Sequence, residues 1–150
     1  MLQCVPTGVP QHLLSGDEAE MEQLRQALDV GYLMVGEFNQ APVSTHTWRS
    51  PVRKMFEMLR AGFSLAVSLH ALTVEAAYDA VCRANGVADE DASRIRYVVY
   101  IELRGANSDD FVRRVARVHE ADRVMDGVPQ TRLLHHWVED GDRSEPVELA

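Results

Sequence analysis

The sequence predicts an α+β fold: a predominantly helical single domain with a small C-terminal β-α-β sheet of two to four strands. Three observations predict it. Apolar residues recur at three- and four-residue steps through the first 85 positions, the signature of helices buried along one face. Near Ile95 the rhythm changes to alternation. Two strand-like runs then flank a helical pattern with short connections, which reads as a right-handed crossover between parallel strands. A chain of 150 residues fits one domain. Residues 15–138 form its globular part, with an N-terminal extension or short strand over 1–14 and an acidic, frayed tail over 139–150.

The first helix is placed at Asp17–Glu37. Ser15 and Glu18 form a capping box, acids occupy the first turn, and Met21, Leu24, Leu28, Tyr32, Val35 and Phe38 share a face. Asn39–Arg49 is polar with Pro42 inside, so it is a loop or a short edge strand. Ser50 as N-cap and Pro51 at the first helical position open helix two. Its apolar second half makes Gly62–Leu72 the centre of the core. Thr73 caps helix three, which Asn85-Gly86 ends. Tyr97–Leu103 is the clearest strand, alternating with β-branched and aromatic enrichment. A fourth helix follows Gly105, capped by Asn107 or Ser108 with Asp109 and Asp110 in its first turn. It carries Phe111, Val115, Val118 and Met125 on one face and stops at Asp126-Gly127. Thr131–Val138 is the second strand. Two strands leave an incomplete sheet, so a short strand from Met1–Val5 or Val43–Thr47 joins them, or a second subunit does.

Charge excludes some functions. The 15 basic and 23 acidic residues give a net charge of -8, which disfavours direct nucleic-acid binding because phosphates demand surplus Lys and Arg. Residues 41–70 alone are net basic, with Arg49, Arg53, Lys54 and Arg60 against Glu57. The first residues lack a basic region followed by an apolar one, and the longest apolar stretch falls short of the ~20 residues a membrane helix needs. The expectation is a cytoplasmic protein without a membrane span. Cys4 and Cys82 make no disulfide framework.

The chemistry is sparse. No phosphate-cradling glycine loop, nucleophile elbow or reactive cysteine motif occurs, so the sequence implies no cofactor and leans away from an enzyme. The leading expectation is a regulatory or adaptor module that binds a protein. Trp48, His136 and Trp137 are its anchors, since exposed Trp is the composition of binding hot spots. One form of it is an acidic inhibitor of a basic partner; homo-oligomerisation is a second partner expectation. An alternative is a binder of, or enzyme acting on, a small anionic ligand at Thr45–Arg49. There His46, Trp48, Arg49 and Arg53 surround a helix N-terminus that attracts anions. The third reading, a metal-assisted hydrolase, rests on His119 and His135 as weak candidate ligands.

Overall fold

A computed structural model describes residues 6–27, 30–105 and 111–147. Strand exceeds helix, at 41% against 27%, and forms two sheets of four strands each. The predominantly helical expectation is therefore overturned, and each misplaced element has a physical reason.

The first sheet is all parallel. It comprises β1 (Gln11–Leu14), β2 (Tyr32–Phe38), β3 (His46–Thr47) and β4 (Ser64–Ser68), with α1 (Glu18–Ala27) and α2 (Ser50–Arg60) between them. β2 is central. Tyr32–Val35 pairs with β1 on one edge and with β4 on the other, while Glu37 and Phe38 pair with β3, which continues the β1 edge. Leu33, Met34 and Val35 are all buried. A parallel strand covered on both faces reads as an unbroken apolar run, which spacing alone does not separate from a buried helix. That is why Asp17–Glu37 reads as one helix; α1 ends at Ala27, and Leu28 lies outside the described residues. Helix two is shortened in the same way. It stops at Arg60, Gly62 takes φ +99°, and the stretch read as the helical centre of the core contains β4. Ser50 is not its cap: Arg49 precedes the helix with φ 63° and ψ -113° and makes no side-chain cap bond.

α3 (Val74–Asp79) is capped by Thr73, whose hydroxyl accepts the Ala76 N–H at 3.2 Å. It runs into a π-helical turn at Ala80–Ala84 and ends at Asn85-Gly86. α4 (Asp89–Ala92) is one acidic turn.

The second sheet is an antiparallel meander of β5 (Tyr97–Arg104), β6 (Val112–Met125), β7 (Val128–Val138) and β8 (Arg143–Pro146). No parallel crossover joins these strands; the fourth helix is instead strand β6, and its expected caps Asn107, Ser108, Asp109 and Asp110 lie outside the described residues. The expected frayed tail contains β8. Met1–Val5, offered as an extra strand, is also outside the described residues; Val43–Thr47 does contain a strand, β3, but it pairs with β2 of the first sheet and does not join the C-terminal one as expected.

One core serves both sheets. Leu33, Val35 and Phe38 of β2 join Val52, Met55 and Phe56 of α2, Tyr78 of α3, and Ala121 and Val124 of β6 in a single buried cluster. Arg60 and the buried Asp91 form a two-pronged ion pair that ties α2 to α4. Burying that carboxylate is tolerable because the guanidinium satisfies both of its oxygens.

Candidate functional site

Parallel strands that lead into helices gather their connecting loops at the carboxyl edge of the sheet, which is where open α/β sheets bind ligands. Here that edge is made by Glu37 and Asn39 at and beyond the end of β2, His46 in β3, and His70 two residues beyond β4. The Glu37 carboxylate is held by Asn39, whose Nδ2 donates to Oε1 at 2.6 Å. Its other oxygen, Oε2, lies 3.8 Å from His46 Nε2 and 3.5 Å from His70 Nε2. Both separations exceed a direct hydrogen bond. Glu37 and His46 are largely covered, while the His70 side chain is 89% exposed. Nδ1 of His46 and the hydroxyl of Thr47 are buried without a hydrogen-bond partner among the described residues. Close backbone approach at Gly36 sets the geometry: a Cβ there would stand 2.5 Å from the Thr45 carbonyl oxygen.

The residues expected from sequence fall into two groups. His46 lies at this edge, Trp48 and Arg49 directly follow β3, and Arg53 lies in the first turn of α2. Trp48 packs on the core cluster, and Arg49 is exposed. Arg49 N–H donates to Asn85 Oδ1 at 2.6 Å and Arg53 Nη1 to the Asn85 carbonyl at 2.9 Å, so Asn85 anchors the segment to the end of the π-helical turn. At the start of α2, Ser50 donates its hydroxyl to Glu18 Oε1 at 2.7 Å, which sets one of the protein's own carboxylates beside the place a ligand anion was expected to take.

His136 and Trp137 lie on the second sheet, in β7. Trp137 is half-buried: its Nε1 donates to Asp142 Oδ1 at 2.9 Å, and the Arg104 guanidinium lies 5.1 Å from the ring centre. His136 stands in register between Arg117 and Glu145. His119 and His135 are not brought together. His119 packs edge-on against Tyr100 at 5.9 Å, and burial and Arg117 together push its pKa down; His135 is exposed opposite Val118. Among the described residues no three His, Cys, Asp or Glu side chains have metal-binding geometry.

Sequence reasoning missed Glu37, Asn39 and His70. The signal was an acid closing an apolar run, Tyr32–Phe38, which points to the edge of a sheet only once that run is read as a strand.

No protein-family model matches the chain, and no curated protein matches it. No helix among the described residues is long and apolar enough to cross a membrane.

Proposed function

We propose that the carboxyl edge of the parallel sheet binds a small anionic ligand. The observation that carries this reading is the Glu37 carboxylate with imidazoles from β3 and from the segment after β4 converging on one of its oxygens. The carboxylate stands 3.5 Å from His70 Nε2 and 3.8 Å from His46 Nε2, within ion-pair reach of both rings. Glu37 is then a positioning residue, and His70 and Arg49 are the exposed donors that meet the anion. Of the bases in residues 41–70, Arg60 is held by Asp91, Lys54 by Glu57 and Arg53 by the Asn85 carbonyl, and Arg49, just after β3, supports an anion at this place. Because Glu18 stands beside the helix N-terminus, side chains carry the recognition.

Inorganic phosphate and a simple phosphate monoester are the probes. A ligand that binds only the folded state raises the melting temperature with its concentration. Both probes raise it in the wild type, and the rise disappears in His70→Ala and Arg49→Ala, whose exposed side chains leave the fold intact. An equal rise in all three proteins, or none in the wild type, overturns the reading.

A further inference from the structure

Among the described residues, the second sheet leaves one of its faces bare. Register places Tyr97, Val99, Ile101 and Leu103 of β5 opposite Glu120, Val118, Val115 and Arg113 of β6. Cross-strand partners share a face, and Phe111, two residues before Arg113, falls on the same side by alternation. The opposite face of β5 carries Val98 and Tyr100, which pack on the core. The six side chains Tyr97, Val99, Ile101, Leu103, Phe111 and Val115 are each 47–59% exposed. Aromatic side chains bury roughly 150–250 Å² apiece and aliphatic ones roughly 60–120 Å², so at about half exposure the strip leaves on the order of 400 Å² of apolar surface in water. The largest apolar patch on a typical monomer is about 300–600 Å² and is often functional, and this strip is of that size.

We infer that this face is an isologous dimer interface, in which a second copy of the chain stacks its own β5–β6 strip against the first. The area is what decides the occupant. A stable interface buries about 800 Å² per partner, of which about 65% is apolar in homodimers, and the strip supplies most of that apolar share. The six apolar positions include no acid, so the chain's negative charge does not oppose contact there. The flanking charges also choose the orientation. Arg113 stands at the Leu103 end, and Glu120 at the Tyr97 end, where Arg132 bonds it at 2.7 Å. Stacking with strands antiparallel brings Arg113 toward the partner subunit's Glu120, whereas parallel stacking sets the two Arg113 side chains against each other. A two-fold axis then passes near the middle of β5, beside Ile101.

The test is sedimentation equilibrium of the full chain together with a cysteine cross-link. The wild type sediments at twice the 16.8 kDa chain mass; Ile101→Asp and Val99→Asp sediment at the single mass with unchanged circular dichroism. In a Cys4→Ser background, Ile101→Cys forms a disulfide dimer under mild oxidation, while Leu13→Cys, on the exposed edge of the other sheet, does not. The cross-link keeps the test decisive should an aspartate variant fail to fold. A monomeric wild type, or a dimer that survives both aspartates and leaves Ile101→Cys uncross-linked, overturns the inference.

Discussion

Asp142 shows how one exposed side chain organises a sheet end. Its carboxylate accepts two hydrogen bonds from Arg114, at 2.7 and 2.6 Å, and one from the Trp137 indole. These donors, Arg114 first, pull its pKa from the usual 3.8 to about 2. A carboxylate more acidic in the folded than in the unfolded chain favours folding above the unfolded pKa, and that contribution is lost as pH falls from 3.8 through about 2. Asp142→Asn therefore flattens the dependence of the urea midpoint on pH across that interval, relative to wild type. In a Trp48→Phe background the remaining indole reports the same event. Its emission changes over the interval in the single variant and stays constant once Asp142→Asn is added. Equal pH slopes with and without Asp142→Asn refute the assignment.

At the scale of the element, Gly36 decides whether β3 lies against β2. A Cβ at this position would meet the Thr45 carbonyl oxygen at 2.5 Å and the Thr45 Cβ at 2.7 Å, so backbone must move. Gly36→Ala costs roughly 1–3 kcal/mol of stability, the usual penalty for overpacking, and it displaces His46 from Glu37. The expected outcome is a lowered chemical-denaturation midpoint together with loss of the phosphate-induced thermal shift; a variant as stable as wild type contradicts the close approach. The elements also show what the sequence made legible. Helix boundaries with local chemistry were readable: Thr73 caps α3, Pro51 sits in the first turn of α2, and Asn85-Gly86 ends the helical segment. Tyr97–Leu103 was readable because its two faces differ. β6 was not. Its register shifts near Tyr100/Ile101, Val118/His119 and Ala121/Arg123, and each bulge breaks the two-residue alternation, so Phe111, Val115 and Val118 mimic helical spacing. The better clue was Asp126-Gly127, whose φ values of 53° and 74° form a two-residue hairpin turn. Asp-Gly is the preferred sequence for that turn, and it reads as a helix stop only if the preceding run is taken for a helix. The candidate site was half legible for the same reason: His46 and Arg49 stand out chemically, but Glu37 and His70 acquire meaning only at the ends of strands.

For the whole molecule, the question is whether two sheets of different topology behave as one body. Their shared core answers it. Ala121 and Val124 of β6 are buried in the same cluster as Phe56 of α2 and Leu33 of β2, and polar bonds cross the same boundary. The Ser93 hydroxyl accepts the Val124 N–H at 2.9 Å, and Asp89 accepts the Gly127 N–H at 3.1 Å. Tyr78, fully buried on α3, donates its hydroxyl to the Ile95 carbonyl at 3.1 Å at the start of β5. Burial pushes that phenol's pKa up to about 12, which keeps it a hydrogen-bond donor at any physiological pH. The meander contributes only Ala121 and Val124 to the buried cluster, so it has no separate core to fall back on. Unfolding is then one cooperative transition. The two tryptophans test this directly, since Trp48 follows β3 in the parallel sheet and Trp137 lies in β7 of the antiparallel one. Urea curves followed by Trp48 fluorescence in Trp137→Phe, by Trp137 fluorescence in Trp48→Phe, and by far-ultraviolet circular dichroism of each variant have coincident midpoints within that variant. Two resolved transitions, with the Trp137 signal lost first, would show instead that the meander is an independent unit held on by its edge.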